Sequence, residues 1–298
     1  MKKCIIMTMA DPTGYEIYDH LIIEPLAALG WQADTVAWQD KTVNWNDYDL
    51  VMIRSPWDYQ NDAKGFMQVL DNIEKSSARL DNPIQIVEWN INKRYLAELE
   101  EKGVEILPTL WKSTIVGETV ADYFEQLDVD EIVIKPCISA GADDTYRIKQ
   151  SELAEFLDTL NSKFVDREFM VQPFSEDIVS EGEFSLFYFD SEYSHAILKT
   201  PKQDDFRVQE EHGGRLLKIE PEALLVEHAQ KTLSSIDQLA HIEEGLLYAR
   251  LDYVRTKTGF ALMEAELIEP SLYFNLDPQA PARFAAAVEK RMKRLGVI

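Results

Sequence analysis

The sequence predicts an α/β domain followed by a larger α+β half. Three observations carry this. Residues 1–88 alternate apolar strand-like runs with helical patterns, the rhythm of a parallel sheet with helices on its faces. From about Trp89 that rhythm gives way to pairs of strand-like runs joined by short polar turns. The chain also has 298 residues, enough for two or three lobes rather than one core.

The elements follow in order. "CIIMTM" reads as a strand, "YEIYDHLIIEPLAALG" as a helix stopped by Gly30, and "QADTVAW" and "YDLVMIRSPW" as strands. "DAKGFMQVLDNIEKSS" is a second helix. Ligands of such sheets sit beyond the carboxyl ends of the strands, so the loops at residues 10–14 and 54–59 are candidate contacts. "NINKRYLAELEEKG" predicts a helix capped by Asn90 or Asn92 and ended by Gly103. "VEILPTLW", a helix near 117–127, and strands at 131–134 and in "TYRIK" come next, then a helix opened by Ser151 and the strand "EFMVQPF". "EGEFSLFYFD" and "YSHAILKT" form a hairpin around Ser191. A polar loop, a helix from Pro221, a second hairpin and a helix near 280–294 complete the chain. The expected division is 1–88, 89–175 and 176–298.

The composition excludes several functions. A formal charge of −23 argues against a nucleic-acid backbone as partner, without forbidding a small cationic pocket for a nucleotide. No apolar run approaches the roughly 20 residues of a membrane helix, so no membrane partner is expected. The two cysteines, Cys4 and Cys137, form no disulfide framework or zinc pattern, and suit a reducing cytoplasm.

The second hairpin carries chemistry. In "ALMEAELIEPS", Glu264 and Glu266 share one face of a strand, and in "LLYARLDYV" Tyr248, Arg250 and Asp252 share another. A three-residue loop Lys257–Gly259, with Gly259 left-handed, sets Thr256 opposite Phe260, Asp252 opposite Glu264 and Arg250 opposite Glu266. Like charges directly opposite are destabilising and need compensation. A divalent cation supplies it, and all-oxygen ligands suit Mg²⁺ or Mn²⁺ accompanied by phosphates. A solvated charged face with Arg250 as ion-pair partner is the plainer alternative.

The cationic counterpart lies upstream. Lys135 ends an apolar strand before Pro136 and must reach solvent or a negative partner. Lys93 sits in the first turn of the expected helix, where a cation is mildly unfavourable. The small-residue loop 138–144, with Gly141, could bring backbone N–H groups over phosphates, though it lacks the spacing of a Walker loop. Arg207 precedes Gly213-Gly214 in a similar polar loop.

In this order, Lys93 in "NKRYL", Lys135 in "VIKP", "VQPF", "EGEF", "DFRVQEEHGG" and the Asp252…Glu264-Ala-Glu266 hairpin resemble the ATP-grasp superfamily. The resemblance covers about residues 85–275. Its nearest flavour is that of glutathione synthetase and RimK-type ligases. "RSPWDY" and "EWNINKRYL" are also similar to the ATP-grasp ligases that form D-cycloserine. The resemblance implies a Rossmann-like N-terminal domain before two α+β subdomains that clamp ATP. It implies that Lys93, Lys135 and Gly141 contact phosphates, that Gln172, Pro173 and Phe174 form the adenine hinge, and that Glu183 binds the ribose. Asp252, Glu264 and Glu266 would hold Mg²⁺ or Mn²⁺, and Arg207, Arg250 and Lys135 would steady the transferred phosphate. Many members have Asn where Glu266 stands, and Pro173 removes one hinge donor.

The implied activity is ATP-dependent ligation: a small amino-acid-like carboxylate is activated as an acylphosphate, and an amine of the same or another molecule displaces phosphate. The substrate candidates are Asp11, Thr13, Arg54, Ser55, Asp58 and Ser271, with Arg54 for a carboxylate and Asp58 for an ammonium. The loop 138–144 would act as a lid. A kinase-like phosphotransferase and a non-catalytic ATP-binding protein are the alternatives. A homodimer through the N-terminal region is a further expectation.

Overall fold

The computed structural model describes the chain except for Ala140, Ala142, Gln203, Asp204, Gln209, Glu211 and His212. The N-terminal sheet holds β1 (Lys2–Thr8), β2 (Trp31–Ala37), β3 (Leu50–Ser55) and β4 (Arg79–Asp81). It is parallel, in the order β2-β1-β3-β4. All of β3 is buried, as a strand covered on both faces must be. Phe66, Leu70 and Ile73, spaced along one side of the helix Ala63–Glu74, pack with Ile5, Met7, Val51 and Ile53. The helix expected over residues 15–30 is shorter: a 3₁₀ turn Asp19–Ile22 leads into Ile23–Ala28. Pro25 explains the break, because it has no N–H to bond a preceding turn and is tolerated only near a helix start.

The second sheet is antiparallel, in the order β5-β8-β6-β7, from β5 (Leu110–Lys112), β6 (Glu131–Pro136), β7 (Tyr146–Lys149) and β8 (Phe169–Pro173). The third has the order β11-β10-β9-β12-β13, also antiparallel, from β9 (Glu183–Phe189), β10 (Glu192–Thr200), β11 (Arg215–Ile219), β12 (Tyr248–Arg255) and β13 (Phe260–Glu266). Among the described residues no helix is long and apolar enough to cross a membrane.

The helix expected from Asn90 is two helices, Ile84–Asn90 and Tyr95–Glu101. Asn92 marks the break: its side-chain oxygen accepts the Arg94 N–H at 3.0 Å. The neighbouring Lys93 N–H donates to the Cys137 carbonyl at 2.8 Å, which ties the break to the exit of β6. Asn90 is a clamp instead of a cap. Its amide donates to Ala265 O at 2.8 Å and its oxygen accepts the Leu267 N–H at 3.1 Å, holding β13.

The β12–β13 register sets Arg250 opposite Glu266 and Asp252 opposite Glu264. The turn differs from expectation. Arg255, not Thr256, faces Phe260, and a bulge restores the register by inserting Met263 between the partners of Asp252 and Tyr253. Gly259 has φ 157°, not the roughly +57° of a left-handed turn residue.

Three buried polar groups fix the N-terminal sheet against the third one. Asn82 donates to Tyr248 O at 2.9 Å and Leu267 O at 2.7 Å, and accepts the Leu247 N–H at 2.8 Å. Arg54, fully buried, bonds Asp19 and Pro270 O and lies over the Tyr248 ring at 4.6 Å. Arg291, also fully buried, grips Asp81 through two 3.0 Å bonds. Replacing Arg291 by Met leaves buried Asp81 only the longer 3.4 Å contact with Arg79 Nε, and is expected to lower stability by roughly 3 kcal/mol in urea unfolding. A loss below about 1 kcal/mol would contradict a buried charge here. His195, stacked on Phe187 at 4.3 Å, has its pKa pushed down to about 4 by burial. Its folded pKa lies below the unfolded value, so its contribution is complete above pH 6.5 and fades as pH falls towards 4. His195→Gln should remove that part of the pH dependence of stability.

Candidate active site

One cleft of about 930 Å³ lies where the three sheets meet. Its floor is the β12–β13 hairpin. Asp252 is buried at the centre, accepting from Ser185 Oγ at 2.5 Å, Arg250 Nη2 at 3.0 Å and Lys199 Nζ at 3.3 Å. Glu264 faces Lys93, Oε1 to Nζ 2.8 Å, and Glu266 accepts from Arg250 Nη2. The like charges expected to collide are thus separated by cations. Burial raises the Glu266 carboxyl to about 8, against the pull of Arg250. For Glu264, burial is outweighed by Lys93 and Lys135, and its carboxyl stays below the usual range. Among the described residues no three carboxylate, histidine or cysteine side chains are gathered closely enough to enclose an ion. The donors still suit a hard cation: all are oxygens, and Glu264 and Glu266 open on the cleft with about a third of each side chain exposed.

Lys135 answers the question its position raised. The strand pairs through Lys135 opposite Met170, which aims the side chain into the cleft. Among the described residues it has no hydrogen bond or ion pair. Burial lowers its pKa, while Glu264 opposes that shift. Lys93 lies beside it, held by Glu264 and by the Ser139 carbonyl at 2.9 Å. Cys137 is a packing residue, its thiol raised to about 11 by burial. The loop after it is anchored at its far root, where Asp144 pairs with Lys163 at 2.8 Å and Arg167 at 2.6 Å. Ser139, Gly141 and Asp143 line the cleft, whereas Ala140 and Ala142 of the expected lid lie outside the described residues.

Gln172, Pro173 and Phe174 also line the cleft. The hinge differs from expectation in its donors. Phe174 N–H is spent on Glu131 O at 3.0 Å, and Pro173 has none. The next residue along, Ser175, lines the cleft. Arg147 lies 3.6 Å over the Phe174 ring and is held there by Glu131. Arg207 reaches the cleft but is paired with Asp205 at 2.9 Å, within a loop whose Gln209, Glu211 and His212 lie outside the described residues.

The N-terminal side corrects several substrate assignments. Thr13 and Ser271 line the cleft, but Asp11, Arg54, Ser55 and Asp58 do not. Arg54 and Ser55 are buried in the sheet, and Arg54 spends its donors on the domain junction. Asp58 accepts from Trp38 Nε1 at 2.7 Å and Gln39 Nε2 at 2.5 Å. Asp11 is exposed and closes a turn with the Thr13 N–H at 3.0 Å. In each case a local loop or packing contact consumes the group.

Two site residues escaped sequence reasoning. Lys199 is 3% exposed and bridges Glu183, at 2.6 Å, to Asp252. A signal existed: a hairpin centred on Ser191 sets Lys199 directly opposite Glu183, as observed. Glu269, with Tyr59, lines the cleft, and no periodicity singled it out.

Residues 4–82 match the family model of the N-terminal domain of D-cycloserine synthetase DcsG. Over 286 residues the chain is 29% identical to the cycloserine biosynthesis protein DcsG of Streptomyces lavendulae, covering 91% of this chain and 93% of that protein. The crystal structure of D-cycloserine synthetase DcsG superposes with a TM-score of 0.83 at 25% identity, over 97% of this chain and 99% of that one. A D-alanine–D-alanine ligase from Bacillus anthracis complexed with ATP shares the fold, with a TM-score of 0.71 at 14% identity, over 99% and 98% of the two chains. The parallel N-terminal sheet and the two antiparallel sheets thus make up the fold of the D-cycloserine synthetase and of the ATP-grasp ligases, and the chain has the ATP-grasp fold.

Proposed function

We propose that the chain uses ATP to activate the carboxylate of a small amino-acid-derived substrate as an acylphosphate, and then joins it to an amine with release of ADP and phosphate. The observation that carries this is Lys135: a half-buried ammonium without a hydrogen bond or ion pair among the described residues, lining a cleft floored by carboxylates. An ammonium so placed needs an anion, and the phosphates of ATP supply one. The similarity to a D-cycloserine synthetase favours an amine on the same molecule as the carboxylate, hence ring closure.

In this reading residues 1–88 form the substrate side, 89–175 the nucleotide lid and 176–298 the metal-bearing floor. Lys93 and Lys135 hold the phosphates. Arg250 and Arg207 neutralise charge that develops on the transferred phosphoryl group. Asp252, Glu264 and Glu266 would hold Mg²⁺, which would draw charge from the phosphate oxygens and so ease their approach by the substrate carboxylate. Lys93 and Arg250 now occupy those carboxylates, so nucleotide binding would exchange some ion pairs for others. Lys199 pairs with Glu183 and Asp252 at once and draws the two carboxyls side by side. Ser175 N–H, rather than Phe174 N–H, would read the adenine edge, with Phe174 and Arg147 as the wall beside it.

The activity is tested by coupled ADP release with Mg²⁺-ATP over amino acids and aminooxy acids. Lys135→Ala and Glu264→Gln are each expected to lower turnover about 100-fold or more. Full turnover in either variant, or a stable phosphorylated product without free phosphate, would contradict the ligase reading. Ser175→Pro is expected to weaken ATP binding while leaving the melting temperature near that of the wild type.

A further inference from the structure

We propose that Arg167 is a positioning residue for the nucleotide: from outside the cleft, its one guanidinium ties together both roots of the loop beside Lys93 and Lys135, and so sets where that loop presents its backbone. The inference rests on the nucleotide-binding part of the reading above and adds a residue that touches no ligand. Arg167 lies in the turn between the helix Leu153–Phe164 and β8, and it does not line the cleft. Its Nη2 donates to the Ile138 carbonyl at 2.9 Å, where the loop leaves β6. Its Nη1 donates to Asp144 Oδ2 at 2.6 Å, where the loop returns towards β7. Ser139, Gly141 and Asp143, between those two points, line the cleft.

Each root has other holds, but among the described residues no other side chain bonds both. Asp144 has a left-handed backbone, φ 51°, an uncommon conformation for a residue other than glycine that its surroundings must hold. Lys163 Nζ at 2.8 Å and the Tyr146 hydroxyl at 3.3 Å also bond its carboxylate. At the near root, the Ile138 carbonyl turns to Arg167, while the next one, of Ser139, accepts from Lys93 Nζ at 2.9 Å. A nucleotide that draws Lys93 to its phosphates releases the Ser139 carbonyl. Arg167, outside the cleft, keeps its bonds in either state.

The side-chain type suits the task. A guanidinium is a rigid planar fork whose donors reach two acceptors at once, whereas an ammonium is a compact point charge. The side chains of Arg167 and Asp144 are both partly exposed, so their ion pair contributes little to global stability. Its effect falls on the local course of the loop, and through the loop on the nucleotide.

The test measures binding of a non-hydrolysable ATP analogue with Mg²⁺ by calorimetry on the full chain, beside melting temperatures without nucleotide. Arg167→Gln should bind the analogue about 10-fold more weakly than wild type, with its melting temperature within about 2 °C. Arg167→Lys keeps the charge but does not fork to both roots, and should bind about as weakly as Arg167→Gln. Lys163→Gln removes a different partner of Asp144 without parting the roots, and should bind within about twofold of wild type. The inference is overturned if Arg167→Gln binds as wild type does, if Arg167→Lys has full affinity, which would make charge alone the cause, or if Lys163→Gln is as weak as Arg167→Gln. A melting temperature lowered by more than about 5 °C in both Arg167 variants would make the residue structural and would equally overturn it. Wild type that binds no analogue overturns the nucleotide reading, and this inference with it. Wild type that binds, beside an Arg167→Gln that binds equally well, overturns this inference alone.

Discussion

Everything in the cleft depends on holding like charges close together with cationic side chains set among them. The β12–β13 pairing sets Asp252 opposite Glu264, with Glu266 one alternation further along the same face. Such a face is unstable alone. Here it is stabilised by Arg250 and Lys199 around Asp252 and by Lys93 on Glu264. Lys135 adds positive charge near Glu264, with no ion pair of its own among the described residues. The result is a set of ion pairs arranged around open space, and that arrangement accepts a polyanion with its counter-cations.

The surrounding structure can be understood as support for that floor. The bulge at Met263 lets the hairpin close with one register and present the carboxylates with another. Asn90 clamps the backbone on either side of Glu266, and the Tyr95 hydroxyl accepts the Ala265 N–H at 2.9 Å. The break in the helix at Asn92 brings Lys93 down to the end of β6. A continuous helix would have left Lys93 on a surface turn. Farther out, Arg54, Asn82 and Arg291 lock the N-terminal sheet to the floor, so the substrate side and the phosphate side keep their separation.

Much of this was legible in sequence, for identifiable reasons. Alternation in "LLYARLDYV" and "FALMEAE" set the facing carboxylates, because strand periodicity is rigid. The pairing was right although the turn was assigned one residue away; the bulge compensated, and no local sequence signal announces it. The position of Lys135 before Pro136 identified it because a cation at the end of an apolar strand has few places to go. The N-terminal loop residues were harder. Arg54 and Asp58 looked available because a loop shows only that a polar group is near a ligand-binding edge. Whether Trp38, Gln39 or a carbonyl 216 residues away consumes it is a tertiary fact.

The central claim is that the negative charge missing from the cleft is the triphosphate of ATP, and that the phosphate leaves carrying an oxygen from the substrate carboxylate. Oxygen-18 in the substrate carboxylate tests this directly. With O-amino-D-serine, or whichever amino acid supports turnover, the released phosphate should carry one labelled oxygen, because the acylphosphate's bridging oxygen departs with phosphorus when the amine attacks carbon. Unlabelled phosphate from labelled substrate would contradict the account, since ATP would then be cleaved without activating the carboxylate.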